Sequence, residues 1–198
     1  MKWISPLLFF TGWLVMLSFP SCRKNTEVRS YQEALDLEGL VNTQVVYFSD
    51  NHYGIHKRSC LGQKEEVVEH YPDSAGWSKQ LDILKTVDIS KPGLRSYYAA
   101  ESYESPSFLI DYYVLIDTGR SNTMYQKIFR DKLTNHLARI QAKQRVDNPI
   151  YHSGRYIEIV FRTIDEDIPI IDSIKVEGYQ KIIFQDTVFY SSIGKIIQ

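Results

Sequence analysis

Two cysteines, three methionines and three tryptophans are all that these 198 residues carry of those types, and neither charge sign is in excess, with 23 basic side chains against 24 acidic ones. The near-balance excludes an electrostatically driven nucleic-acid binder, because such proteins concentrate positive charge to neutralise phosphates. No internal repeat marks a solenoid, and no low-complexity stretch marks a linker. No motif that specifies a reaction is present, so the chain leans away from enzyme chemistry. Aromatic residues, in contrast, are plentiful: 14 Tyr and 9 Phe favour half-buried pleated surfaces and point towards β structure.

The N-terminus reads Lys2, an apolar run from Trp3 to Phe19, then Pro20-Ser21-Cys22-Arg23-Lys24. One basic residue, a short apolar core and a small residue before a cut site describe a secretory signal, whereas the run is too short, and too broken by Pro6 and Gly12, for a membrane span. With Cys22 directly after Ser21, the segment resembles a bacterial lipoprotein signal. Phe19 and Pro20 stand where the usual pattern has Leu and a small residue, and this relaxed box followed by basic residues is similar to lipoproteins of the Bacteroidota. The resemblance implies cleavage before Cys22 and acylation of Cys22, palmitate being the kind of chain involved, with the membrane as a partner through that anchor. Plain secretion with cleavage near Ser21 and a retained N-terminal anchor are the alternatives. In that group an acidic stretch after the cysteine favours the cell surface. Arg23-Lys24-Asn25-Thr26, with Glu27 alone, supplies none, so the expected place is the periplasmic side of the outer membrane.

The organisation expected is a signal peptide over residues 1–21, the lipidated cysteine and a tether over 22–30, and one α+β domain over 31–198, a length that suits a single core. If Cys22 is acylated, Cys60 stands alone in an oxidising compartment, either as a small buried hydrophobe or as a thiol able to pair between molecules.

Along the domain, Leu37, Leu40, Val41, Gln44, Val45 and Phe48 recur at three- and four-residue steps and predict an amphipathic helix over Tyr31–Phe48, with Val45–Phe48 open to a strand reading. Ile55–Cys60 and Glu65–Tyr71 flank Leu61-Gly62-Gln63 as a hairpin would. Asp73 or Ser74 offers an N-cap for a helix whose face is Trp77, Leu81 and Leu84 and which ends before Lys91-Pro92. From Ser107 on the pattern turns to strands: Phe108–Asp117, Tyr125–Arg130, His136–Val146, Tyr151–Ile164, Ser173–Val176 and Tyr179–Gln185 around Glu177-Gly178, and Val188–Ile197. Tyr125, Ile128, Lys132, His136 and Ile140 also fit a helix. Short turns imply antiparallel pairing, so the fold expected is α+β, with N-terminal helices packed on a mostly antiparallel, strand-rich C-terminal sheet.

Several clusters qualify as candidate sites. Val45-Val46-Tyr47-Phe48-Ser49-Asp50-Asn51-His52-Tyr53-Gly54 is similar to the opening block of calcineurin-like metallophosphoesterases, which implies Asp50 and His52 as metal ligands; the resemblance covers ten residues, and the later Gly-Asp, Gly-Asn-His and Gly-His-x-His blocks have no counterpart. His52, His56 and Cys60 share one face only if a helix continues through Gly54. Asp165-Glu166-Asp167 lacks the oxygen-ligand spacing of a calcium loop and reads as a solvated turn. Ser191-Ser192-Ile193-Gly194 and Ser153-Gly154 lack the strand-to-helix context of a serine nucleophile. Tyr97-Tyr98, Tyr103 and Tyr112-Tyr113 suit strand and edge positions, or the lining of a groove.

No catalytic, metal or cofactor residue is assigned on this basis, and Cys22 is the single functional site expected. The downstream residues Asp88-Ile89-Ser90-Lys91-Pro92 and Gly178-Tyr179-Gln180-Lys181-Ile182-Ile183 resemble small Bacteroidota envelope lipoproteins, a group that implies no particular activity. The reading is a membrane-anchored, non-enzymatic binding or interaction module with an envelope protein as a candidate partner. A phosphoesterase-like hydrolase using Asp50 and His52, or a carrier of an apolar ligand, stands as the alternative.

Overall fold

A computed structural model describes residues 34–164 and 168–198. Helix α1 (Leu37–Asp50) starts where the Asp36 carboxylate accepts the Gly39 N–H at 2.9 Å, satisfying one of the donors that a helix N-terminus leaves open. Its buried stripe is Leu37, Val41, Gln44, Val45 and Phe48, so Val45–Phe48 is helix and not strand. Helix α2 (Ser74–Lys85) is capped the same way by Asp73 on Gly76, and it buries Trp77, Leu81 and Leu84.

Between the helices lies a hairpin, β1 (Gly54–Leu61) and β2 (Lys64–His70), turned at Gly62, whose φ of +59° a glycine adopts without strain. After a 3-10 turn at Arg95–Tyr97 the chain runs up and down through β3 (Tyr98–Glu104), β4 (Phe108–Leu115), β5 (Thr123–Asp131), β6 (Leu137–Asp147), β7 (Tyr151–Ile164), β8 (Ile168–Ile182) and β9 (Val188–Ile197). These strands form one nine-stranded sheet in the order β2-β1-β9-β8-β7-β6-β5-β4-β3, with every neighbouring pair antiparallel. The fold is therefore α+β and mostly sheet.

Three particulars differ from expectation. The sheet is not purely C-terminal, because the β1–β2 hairpin pairs with β9, the last strand. The helix reading of Tyr125–Ile140 fails: Asp131 accepts the N–H groups of Leu133 and Thr134, Asn135 takes a φ of +61°, and the chain reverses between β5 and β6. Glu177-Gly178 does not break β8, since Gly178 is paired to Arg155 on one side and to Tyr190 on the other, and two ladders hold it extended. Tyr98–Glu104 forms the edge strand β3, in keeping with the strand and edge positions expected for Tyr98 and Tyr103.

The main core lies between the helices and one face of the sheet, joining Val41, Phe48, Trp77, Leu81 and Leu84 to Ile140, Ile157, Ile159, Ile174 and Ile196. Each of these fully buried aliphatic side chains contributes roughly 1.5–3 kcal/mol relative to exposure. A second cluster, Ile89, Tyr98, Tyr113, Leu115 and Ile128, fills the space beside β3 to β5. Register fixes which face is which. Ile140 opposes Ile159 and Ala142 opposes Ile157 on the helix side, so Lys143, Tyr156 and Glu177 point to the face on which neither helix packs.

Candidate functional site

The helix-free face carries a ladder of polar and aromatic side chains. The Lys127 ammonium lies 4.9 Å from the centre of the Tyr112 ring and 5.9 Å from that of Tyr125, within the range of cation–π attraction. Glu158 accepts hydrogen bonds from Gln141 at 2.6 Å and from the Tyr156 hydroxyl at 3.1 Å, and the Lys175 ammonium reaches Glu177 at 2.7 Å. Burial, followed by the charge and hydrogen bond of Glu158, pushes the Tyr156 phenol far above its ordinary range. Its bond to Glu177 raises the Lys175 ammonium in the same way that a carboxylate favours any cation.

Towards the end of the sheet where β1 meets β2, this face hollows into an open groove of about 450 Å³. Two cross-strand rows build it. Lys143, Tyr156, Glu177, Ser191 and Cys60 stand side by side on β6, β7, β8, β9 and β1. One step further out, Gly154, Tyr179 and Phe189 form the second row. The Tyr179 and Phe189 rings, with centroids 6.4 Å apart and tilted by 54°, make an aromatic wall.

Two glycines shape the sheet beneath the groove. A Cβ on Gly178 would sit 2.4 Å from the Gly154 carbonyl oxygen, and one on Gly154 would sit 2.5 Å from the Tyr179 ring. Gly154 lets the Tyr179 ring lie over it on the groove face, and Gly178, which faces the other side, lets the Tyr190 ring and the Gly154 backbone come close there. On the opposite face Arg155 donates to the Tyr190 hydroxyl at 3.2 Å, so these two line the groove floor through their main chain while their side chains lock its back.

Apolar ring surface, an ammonium, a carboxylate and a hydroxyl converge on one hollow, the usual composition of a small-ligand site. Ser191 and the free thiol Cys60 line it, yet among the described residues neither is hydrogen-bonded to a histidine or carboxylate that would activate it.

The residues singled out from the sequence are mostly dispersed. Asp50 ends α1 and His52 occupies the following turn with a φ of +53°. His56 and Cys60 lie on β1, which is a strand, so the helical alignment of His52, His56 and Cys60 does not arise; four strand steps separate the last two by about 13 Å. Among the described residues no three His, Cys, Asp or Glu side chains gather as metal ligands would. Cys22 and Asp165-Glu166-Asp167 lie outside the described residues. Tyr103 sits on the edge strand β3, and Tyr112 and Tyr113 take opposite faces of β4, one on the ladder and one in the second core cluster. Lys143, Tyr156 and Phe189 carried no motif, and Glu177 and Tyr179 were noted only for a turn and for the lipoprotein resemblance, not as site residues. The available signal was the pair of isolated glycines, Gly154 and Gly178, inside strand patterns, which marks a close backbone approach. No family model, no curated protein and no solved structure matches this chain.

Proposed function

We propose that this chain is a non-enzymatic envelope lipoprotein, exported by residues 1–21, anchored to the periplasmic side of the outer membrane by lipid on Cys22, and working through a ligand-binding surface on the helix-free face of its sheet. The observation that carries the binding role is the groove at Gly154 and Gly178, where an aromatic wall meets Lys143, Glu177 and Ser191. Support for the anchor comes from the order of Lys2, the apolar run, Ser21 and Cys22. A fully processed lipoprotein carries several acyl chains, which makes attachment stable where one chain would leave it marginal. A carrier of an apolar ligand is the second reading, favoured by the exposed Tyr179 and Phe189 rings on the groove wall.

Intact mass spectrometry of the protein made from its full-length gene in a Gram-negative host tests both parts. A lipid-sized increment lost in Cys22→Ala supports the anchor, and an additional mass seen under native but not denaturing conditions, lost in Phe189→Ser, supports the groove. A mature chain with no increment, and with no noncovalent mass after exposure to envelope extract, overturns the proposal.

A further inference from the structure

We propose that the end of the sheet where the β1–β2, β6–β7 and β8–β9 turns meet is a membrane-contacting tip that dips into the bilayer to which the chain is anchored. Three loops distant in sequence are joined here by the main chain: Ile183 N–H donates to the Ile150 carbonyl at 2.9 Å, and Gly62 N–H to the Phe189 carbonyl at 2.9 Å. Each presents large apolar side chains to solvent, Leu61 from the first turn, Ile150 from the second, and Ile183, Phe184, Val188 and Phe189 from the third. Turns ordinarily carry polar residues or glycine, and large apolar side chains exposed together at one end of a sheet mark a site of contact.

Phe184 is the sharpest case. It is 99 % exposed and its φ is +62°, the left-handed region in which a bulky side chain is strained. The turn that holds it is closed by the Gln185 N–H donating to the Ile182 carbonyl at 3.0 Å, and its ring is left wholly in solvent, where a polar residue or glycine would carry the same backbone at lower cost.

The occupant follows from the tether and from the shape of the surface. Residues 23–33 are all that separates Cys22 from Ala34, a span of at most about 40 Å when fully extended, while β8 alone, at 15 residues, is about 50 Å long. A domain held that close to a bilayer can bring its tip onto it. Single rings projecting from turn ends, with Lys181 at the end of β8 and Gln185 and Asp186 in the same turn to meet water and headgroups, fit shallow insertion. Strand-to-strand pairing with a second copy is discouraged at the nearby edge, where β2 exposes Lys64, Glu65, Glu66 and Glu69. The inference rests on the anchored reading for the position of the bilayer.

The test places Phe184→Trp in the full-length chain, with Cys22 intact and with Cys22→Ala, reconstituted into vesicles of phosphatidylethanolamine and phosphatidylglycerol. Subtracting the emission of the same chains without that substitution isolates residue 184 from Trp3, Trp13 and Trp77. The expected result is a blue shift on vesicles and quenching by lipids brominated near the headgroup end of the acyl chain. Phe184→Asn, which suits the left-handed turn, is expected to raise the unfolding midpoint while moving a dye on Cys60 to a more polar environment in the presence of vesicles. Emission at 184 unchanged by vesicles and open to aqueous iodide overturns the tip. So does shielding from iodide without vesicles together with a doubled mass in sedimentation, which assigns the patch to a second copy. The mass of Cys22 is read separately: a quenched Trp at 184 on a chain bearing no lipid overturns the anchor alone, and a lipidated Cys22 with an exposed Trp overturns the tip alone.

Discussion

The carboxamide of Gln44 accepts the backbone N–H of Ile171 at 2.9 Å across 127 residues of sequence, while its own N–H donates to the Pro169 carbonyl at 3.0 Å. β9 pairs with β8 only from Ser173 onward, so the first residues of β8 have no strand on that side, and the buried side chain from α1 stands in for one. The ladder with β7 shifts register at Val160/Phe161 in the same place, with Asp172 as the extra residue, which puts Ile171 on the same face as Ile174, opposite Phe161 and Ile159. Gln44→Leu is expected to strand two buried backbone groups and cost about 2–4 kcal/mol, read as a lower urea midpoint with an unchanged slope.

The glycine contact beneath the groove admits no side chain. Gly178→Ala forces a Cβ against the Gly154 carbonyl and the Tyr190 hydroxyl, with an expected loss of about 1–3 kcal/mol. Gly119→Ala meets nothing nearer than the Asp117 carboxylate at 3.5 Å and is expected to stay within about 0.5 kcal/mol of the parent. Thermal unfolding of the two variants side by side checks the contrast, and equal melting temperatures would refute it.

Hydrogen bonds from the Thr134 and Leu133 N–H groups hold the Asp131 carboxyl below its ordinary value of 3.8. A depressed pKa in the folded state binds fewer protons than the unfolded chain, so its stabilisation is complete above the ordinary value and is lost as pH falls through the depressed one. Urea midpoints measured from neutral pH downward are expected to fall in that acid window, and Asp131→Asn to flatten that part of the profile.

Tyr156 is displaced in the other direction, by burial first and then by Glu158. Its stabilising contribution is present below the ordinary value of 10.0 and is lost as pH rises through the raised one. In an ultraviolet absorbance titration this phenol is expected to remain protonated after exposed tyrosines have ionised. Glu158→Gln should bring it downward, though not fully to the ordinary value, because burial remains; no movement would remove Glu158 as a cause.

Patterns that act over a few residues were legible in the chain. The cap at Asp73, the Trp77, Leu81 and Leu84 stripe, the glycine turn at Gly62 and the alternation of Ile157, Ile159 and Phe161 depend on local backbone geometry, and each appears in the fold as local pattern predicts. The Asp36 cap, which starts the first helix at Leu37, was not read from the chain. The same locality explains the errors: Glu177-Gly178 looks like a turn until ladders on both sides hold it straight, and His52, His56 and Cys60 align only on a helix that Gly54 and the β9 ladder convert into a strand.

What the amino-acid order determined by itself is the α+β class, the hairpin at Gly62 and the capped start of the second helix, together with the expectation that Cys22 is the point of processing, since all of these rest on neighbours in sequence. Only the tertiary structure decided that β1 joins β9, that Gln44 completes β8, and that Lys143, Tyr156, Glu177, Tyr179, Phe189 and Cys60 share one groove. Those relations depend on cross-strand register, and register is set by which apolar faces bury against the helices together, a property of the whole sheet that no single segment carries.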